Sequence, residues 1–276
     1  FTFIIGRNRM SQRKIAFFDI DGTITSEKDG SIPDSTVLAI RQARENGHLM
    51  FINTGRCFQN VEPRFREIGF DGYVCGCGTN IYYHGEELLY VNQTHEVVSE
   101  LLEAARKADV DICFESREEV VFDTSRPIHH PDAKKQYYEF RERHYDMSHD
   151  PEADDFICDK FVIWYEKEEQ LIEFKKTSDR YFDCIDRGGT FREFVPYHYS
   201  KATGIEFLLT HFALKLEDAY AFGDSNNDLP MLGFVPHSVA MGNAMPESLK
   251  ERVSYVTTKA SEDGIQKALE HFGFFA

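Results

Sequence analysis

The stretch KIAFFDIDGT, residues 14 to 23, decides the fold of this chain. Lys14 to Phe18 have the length and the aromatic and β-branched content of a buried parallel strand, and Asp19 and Asp21 follow directly. Ligands in open α/β sheets bind where parallel strands end. Residues two apart in an extended segment point the same way, so the two carboxylates repel each other and favour a divalent cation or a shared proton. A solvated acidic turn is the alternative interpretation.

Strands and helices alternate around this stretch, which predicts a parallel sheet. A helix from Pro33 to Gly47 and a strand from Leu49 to Ile52 complete a right-handed βαβ unit. The next predicted elements are a helix over residues 57–68, a strand over 72–76 and a hairpin that turns at His84. The alternation returns near the end, with helices predicted at 200–214, 227–234 and 262–272 and strands at 219–224 and 237–242.

The segment between these two parts has a different pattern, in which strands dominate and few helices connect them. Strands are predicted at 110–115, 119–123, 160–165, 180–186 and 190–195, with a polar, His-rich stretch up to about residue 155. We therefore expect a smaller α+β domain over residues 93–192, inserted into a core of residues 10–92 and 193–276. Residues 1–9 precede Met10, and we expect them to be a non-native or disordered leader.

The composition excludes several classes of partner. The formal net charge of -16 disfavours nucleic acid and anionic membrane surfaces, so a phosphate substrate would require local positive charge. No stretch approaches the roughly 20 apolar residues of a membrane span. The six cysteines are scattered through apolar surroundings, which favours reduced thiols in a cytoplasmic protein; Cys75 and Cys77 lack the second pair that a zinc site needs.

Two further polar clusters follow predicted strands. Thr54 and Gly55 come after the second strand, and Asp224 ends the strand AYAFGD, with Asn227 and Asp228 beyond it. Taken singly, each is typical of an ordinary turn. Together they bring a third carboxylate and a hydroxyl to the rim of the sheet that holds Asp19, and hard oxygen ligands of this kind suit Mg²⁺. Lys201, at a helix start, is either a solvated lysine or the positive charge that the site needs.

These motifs resemble those of a known family. DIDGT at 19–23, NTGR at 53–56, SKATG at 200–204 and GDSNND at 223–228 are similar to the four ordered motifs of the haloacid dehalogenase-like hydrolase superfamily. The hairpin after GCGTN, the insert and the closing AMGNA and EDGIQKAL resemble its Cof-type, IIB subfamily of phosphatases. The resemblance covers the chain from about Lys14, although the insert matches in layout more than in residues. It implies an α/β fold with a Rossmann-like, doubly wound parallel core and an α/β cap.

The resemblance also implies roles for single residues. Asp19 would be the nucleophile that takes the phosphoryl group, and Asp21 would be the general acid and base. Mg²⁺ would be held by the Asp19 side chain, the Asp21 backbone carbonyl and Asp224, with Asp228 supporting from behind. The residues implied to bind the phosphoryl oxygens are Ile20, Thr54, Gly55, Lys201 and Asn227.

Asp21 narrows the reaction, because haloacid dehalogenases proper lack a carboxylate two residues after the nucleophile. We expect a Mg²⁺-dependent phosphatase of small metabolites, with sugar phosphates favoured and flavin mononucleotide or pyridoxal phosphate left open. The alternatives are a phosphomutase, a phosphorylatable switch resembling receiver domains, and a binding protein without catalysis. The expected protein is a monomer or weak homodimer.

The insert gives weaker indications. His129, His130, His144 and His149 match no zinc-ligand spacing, so a polar surface is favoured. Four basic residues could bind a second anionic group, but solvated charges are the expectation for Arg117, Arg126, Lys160 and Arg187. Trp164 is expected in the core of the insert. Arg56 could be structural or could contact substrate.

Overall fold

The computed structural model describes residues 13–275. The predicted leader, residues 1–9, lies outside that range. Helices and strands follow in this order: β1 (Ile15–Phe18), α1 (Asp34–Glu45), β2 (Leu49–Asn53), α2 (Pro63–Arg66), β3 (Gly72–Cys75), β4 (Asn80–Tyr83), β5 (Glu86–Tyr90), α3 (His95–Ala108), β6 (Asp111–Glu115), β7 (Val120–Phe122), α4 (Pro131–Glu142), β8 (Lys160–Trp164), α5 (Glu168–Ser178), β9 (Phe182–Asp186), β10 (Phe191–Pro196), α6 (Lys201–His211), β11 (Ala219–Ser225), α7 (Leu229–Phe234), β12 (His237–Met245), β13 (Tyr255–Val256) and α8 (Gly264–His271).

The chain divides into two compact units. Within residues 13–275, the first comprises residues 13–51, Ile68–Asp71 and residues 207–275; the second comprises Ile52–Glu67 and Gly72–Glu206. The predicted boundaries of core and insert, at residues 92 and 193, stay a prediction. No helix among residues 13–275 has the length and apolar character needed to cross a membrane.

The first unit contains a parallel sheet. Its strands lie in the order β13-β12-β11-β1-β2, and β1 pairs with β11 in parallel, as β11 does with β12. All four residues of β1 are buried, and the Phe18 ring stacks on Phe222 of β11 with centroids 4.4 Å apart. Aromatic stacking of this kind adds to the burial of apolar surface and fixes neighbouring strands. The two strands therefore end side by side.

The second unit contains an antiparallel sheet of five strands, in the order β7-β6-β8-β10-β9. One face packs against α3 and α5 through Leu101 and Phe174, among other residues. The opposite face carries Phe122 and Trp164, which pack with Phe140 of α4. This alternation is the period of two that a strand imposes on its side chains. The same unit holds β3, β4 and β5, which pair antiparallel in that order.

The predicted fold class is confirmed, but one local prediction was wrong and two elements were not predicted. Residues 57–68 do not form one helix; a short turn at Phe58–Asn60 is followed by α2, which begins at Pro63 because proline suits the first helical position. The polar, His-rich stretch up to about residue 155, where no helix was predicted, contains the 12-residue α4, whose N-terminus is capped by His130. β13 was not predicted, since two residues carry almost no periodicity.

Candidate active site

Three carboxylates meet in the first unit, at the ends of β1 and β11. Asp19, Asp224 and Asp228 each offer an oxygen, and these oxygens all lie within 4.8 Å of one another. The strand pairing explains the proximity: Phe18 is in register with Phe222, and the Asp19 amide donates to the Phe222 carbonyl at 3.0 Å. Among the residues that the structure describes, this is the one group of His, Cys, Asp and Glu side chains able to hold a metal.

Asp228 has a different environment from the other two carboxylates. It is fully buried, and its Oδ2 accepts hydrogen bonds from the amides of Asp224 at 2.9 Å and Ser225 at 3.1 Å. The turn requires Gly223, because a Cβ there would lie 2.6 Å from the Asp228 side chain. Asp228 thus holds the backbone that presents Asp224, and its supporting role at a metal stays a prediction.

The turn after Asp19 separates the two aspartates of the DxD pair. Asp19 is buried, whereas Asp21 is exposed. Gly22 has φ +77°, and a Cβ at this position would lie 2.2 Å from Asp224 Oδ2. The turn is closed by Thr25, whose hydroxyl accepts from the Gly22 amide at 3.0 Å and donates to the Ile20 carbonyl at 3.2 Å. Glycine is therefore needed both for the backbone conformation and to leave room beside the Asp224 carboxylate.

Two further residues support this turn and were not predicted as part of the site. Asn243, in β12, donates from its side-chain nitrogen to the Gly22 carbonyl at 2.7 Å, and its oxygen accepts from the Ala260 amide at 3.1 Å. The Thr23 hydroxyl lies 3.5 Å from Asp224 Oδ1. The Asn in AMGNA and the Thr in DIDGT were the available signals, but neither spacing nor residue type indicates these contacts.

The second unit holds three of the predicted phosphate-binding residues, Thr54, Gly55 and Lys201, whereas Ile20 and Asn227 lie in the first unit. Thr54 is buried, and its backbone is fixed on both sides: its amide donates to Val74 at 2.9 Å and its carbonyl accepts from Cys77 at 3.1 Å. Lys201, the first residue of α6, is buried as well. The Asn53 side chain donates to the Lys201 carbonyl at 2.9 Å. The structure therefore brings the strand end that carries Thr54 and Gly55 together with the start of the helix that carries Lys201.

Gly78 also packs against the start of α6. A Cβ on Gly78, which has φ +97°, would lie 2.4 Å from the Ser200 carbonyl oxygen, so the GCGT loop closes directly on the start of α6.

Arg56 is half-buried and its Nη1 contacts the Asn60 carbonyl at 3.1 Å and Glu62 at 3.2 Å. These contacts favour the structural interpretation of Arg56.

The remaining predictions for the insert have mixed outcomes. Trp164 is buried in the insert's sheet, as predicted, and the four histidines contribute to no metal-binding group among residues 13–275. Arg117 and Arg126 are paired with Glu87 and Asp109, both at 2.9 Å. The expectation of a solvated charge was wrong for Lys160, because it is 2% exposed and lies between two glutamates.

The six cysteines belong to no metal-binding group found among residues 13–275. All six are unpaired, and burial raises the pKa of the Cys77 thiol to about 12. A thiol with so high a pKa is almost entirely protonated at neutral pH, so it is a poor nucleophile and a poor metal ligand.

Comparison with known proteins finds relatives that cover most of the chain. A family model described as haloacid dehalogenase-like hydrolase matches residues 16–269. The YkrA protein of Bacillus subtilis is 30% identical over 270 residues, which cover 94% of this chain and 98% of that protein. The HMP-PP phosphatase of Serratia proteamaculans is 25% identical over 240 residues, 85% of each chain. The solved structure of the subclass IIB sugar phosphatase BT4131 superimposes with a TM-score of 0.78 at 29% identity, covering 95% of this chain and 99% of that one.

Proposed function

This chain belongs to the haloacid dehalogenase-like hydrolases, as a Cof-type member of subclass IIB, and from that premise we propose that it hydrolyses phosphomonoesters of small metabolites through an aspartyl phosphate on Asp19. Sugar phosphates are the favoured substrates and Mg²⁺ the cofactor. The observation that carries the proposal is the group of three carboxylates within 4.8 Å beside an exposed Asp21. Reduced thiols favour the cytoplasm as its compartment.

The carboxylate group fits a magnesium ion. All its donors are hard oxygens, and the absence of a Cβ on Gly22 leaves space at Asp224 Oδ2. The proposed ligands are the side chains of Asp19 and Asp224 and the backbone carbonyl of Asp21, while Asp228 holds the Asp224 turn. A bound Mg²⁺ would supply charge neutralisation for the phosphoryl oxygens.

Asp19 and Asp21 are proposed to carry out different steps of the reaction. The Asp19 carboxylate attacks phosphorus and forms the aspartyl phosphate as the bond to the leaving oxygen breaks. The Asp21 carboxyl gives its proton to that oxygen, takes a proton from the attacking water in the second step, and so frees Asp19 as inorganic phosphate departs. Burial of Asp19 and exposure of Asp21 support this division, because the attacking water must reach Asp21 in the second step.

Phosphate binding is proposed for two sets of residues. Ile20 and Asn227 belong to the first unit, and Thr54, Gly55 and Lys201 to the second. That both sets act on one phosphoryl group rests on the order of the four motifs in the sequence. The charge of the buried Lys201 would neutralise the phosphoryl group in a chain of net charge -16.

The test is release of inorganic phosphate from a panel of phosphorylated metabolites by the purified protein with Mg²⁺. We expect turnover of sugar monophosphates without a bisphosphate activator, which a phosphomutase would need. Asp19→Asn, which keeps the side-chain volume, should reduce phosphate release to the buffer background while the circular dichroism spectrum stays unchanged. Undiminished turnover by that variant would refute the mechanism.

A further inference from the structure

Asn53, the last residue of β2, places a polar side chain in a buried position. The four residues before it, 49–52, are apolar and buried, and Asn53 itself is 0% exposed. Burial of an amide side chain costs free energy that an apolar residue would not, unless a hydrogen bond compensates for it. The Asn53 side-chain nitrogen makes such a bond, since it donates to the Lys201 carbonyl at 2.9 Å. A polar contact therefore joins the end of β2 to the first residue of α6.

The first turn of α6 is held together by two side chains of its own. The Ser200 hydroxyl accepts from the amides of Ala202 at 3.2 Å and Thr203 at 3.4 Å. The Thr203 hydroxyl accepts from the Ser200 amide at 2.9 Å, which completes a reciprocal arrangement like that of a capping box. All these bonds lie within residues 200–203. They fix the shape of the turn, but they do not fix its position relative to β2.

Close packing brings α6 against the strands of the second unit. A Cβ on Gly204 would lie 2.4 Å from Val74 Cγ1, so the helix lies directly on β3. Packing contacts limit how closely two segments approach, but they have little directionality, whereas a hydrogen bond also fixes an orientation. The hydrogen bond from Asn53 is made to Lys201 itself. It therefore determines directly where the lysine side chain leaves the backbone.

Asn53 connects two residues that are proposed to bind the phosphoryl group, because Thr54 follows it in the chain and Lys201 accepts its hydrogen bond. A misplacement of about 1 Å in a group that acts on the reacting atoms can cost about 10²-fold in rate. We propose that Asn53 is a positioning residue, which holds Lys201 at a fixed distance from Thr54 so that both bind the same phosphoryl group. Lys201 is 2% exposed, so its side chain has little freedom once its backbone is fixed. This inference rests on the proposed function, in which Thr54 and Lys201 bind the phosphoryl oxygens.

The experiment measures the Kd for inorganic phosphate in the presence of Mg²⁺ by phosphorus NMR, so it does not depend on turnover. Lys201→Met keeps the buried stem but removes the charge, and it should weaken binding at least about tenfold. Asn53→Ala should weaken binding roughly fivefold to tenfold. The double variant should bind phosphate no more weakly than Lys201→Met alone, because Asn53 acts through the lysine. Asn53→Val, whose β-branched side chain suits the end of a strand, should weaken binding as Asn53→Ala does while the fold is retained.

Asn80→Ala is the matched control. Asn80 is 1% exposed, begins β4 in the same unit, and its side-chain nitrogen also donates to a main-chain carbonyl, that of Leu89 at 3.1 Å. Its substitution should leave the affinity for phosphate unchanged.

Three results would overturn the inference. Equal weakening in Asn53→Ala and Asn80→Ala would show a general effect on the fold. A loss in the double variant equal to the product of the two single losses would show that Asn53 does not act through Lys201. Unchanged affinity in both Asn53 variants would show that the hydrogen bond has no role in binding. A wild-type protein that binds phosphate as expected but releases none from any metabolite of the panel would instead refute the proposed function and leave the inference standing.

Discussion

Asp159 provides a quantitative test of the second unit, because its burial makes stability depend on pH. It directly precedes β8, is 1% exposed, and its amide donates to the Glu115 carbonyl at 2.9 Å. Burial raises the pKa of its carboxyl from 3.8 to about 8, an effect that Tyr90 and Lys160 only partly counter. At neutral pH the folded protein therefore keeps this carboxyl largely protonated, whereas the unfolded chain ionises it.

Proton linkage gives the sign and the size of the change in unfolding free energy with pH. Between pH 4 and pH 8 the folded state binds more protons at Asp159 than the unfolded state, so the free energy of unfolding falls as pH rises. The shift of about 4 pKa units, at about 1.4 kcal/mol each, gives a total loss of about 5 to 6 kcal/mol, most of it within this pH window. Asp159→Asn has no carboxyl to ionise, so its stability relative to the wild type should rise by about 1.4 kcal/mol per pH unit, or roughly 3 kcal/mol from pH 5 to pH 7.

The assay is urea unfolding followed by tryptophan fluorescence at pH 5, 6, 7 and 8. The chain's single tryptophan, Trp164, is buried in the second unit and stacks on Phe122, so it reports unfolding of the unit that contains Asp159. A stability difference between wild type and Asp159→Asn that stays constant from pH 5 to pH 8 would refute the reasoning.

Asp123→Asn is the matched control in the same unit. Burial alone would raise the pKa of Asp123, but hydrogen bonds from Arg106 and Ser125 outweigh it and lower the pKa below the usual range. Its contribution to stability is therefore complete above the unfolded pKa and is lost only as pH falls through the folded value. Asp123→Asn should be destabilised by an amount that does not change between pH 5 and pH 8.

Three further predictions concern the site in the first unit. Gly22→Ala should weaken divalent-cation binding at least about tenfold, as measured by calorimetry, because the new Cβ would lie 2.2 Å from Asp224 Oδ2. Gly30→Ala is the control: Gly30 has φ +69° but no heavy atom within 4 Å of an added Cβ, so this variant has the backbone strain without the clash and should bind the cation normally. Equal weakening in both variants would contradict this account. Asp21→Asn should slow hydrolysis of a sugar phosphate by about 10²- to 10⁴-fold but affect 4-nitrophenyl phosphate far less, since nitrophenolate leaves without a proton; equal losses in kcat would exclude Asp21 as the acid. Removal of divalent cations with a chelator should abolish phosphate release and added Mg²⁺ should restore it; full activity after chelation would disprove the cofactor assignment.

The sequence predicted the first unit well for a physical reason. Buried parallel strands are short apolar runs, and a polar residue at or directly after the run marks where β1, β2 and β11 end. The prediction failed where the signal was weak or conflicting. α4 has only Ala133 and Phe140 buried, so its pattern is mostly polar, and Pro63 falls within a segment that otherwise appeared helical.

Burial of single charges could not be predicted at all. Asp159 and Lys160 are neighbours in the sequence, which gives no indication of their environments. In the structure Lys160 lies between two glutamates, and the pKa of Asp159 is raised to about 8. Such facts depend on which strands become neighbours, and Glu115 and Glu193 are distant from Lys160 along the chain. Side-chain environments of this kind arise from pairing between segments.

The sequence by itself determined the class of chemistry. Its four ordered motifs, beginning with DIDGT, carry the carboxylates, hydroxyl and lysine that phosphoryl transfer needs, and local residue patterns suffice to place them at strand ends. The tertiary structure decided what those residues contact. It made Asp228 a support for the Asp224 turn, placed Asn243 on the Gly22 carbonyl and brought Arg187 against Gly55. Contacts between residues far apart in the chain follow from packing, which no local pattern encodes.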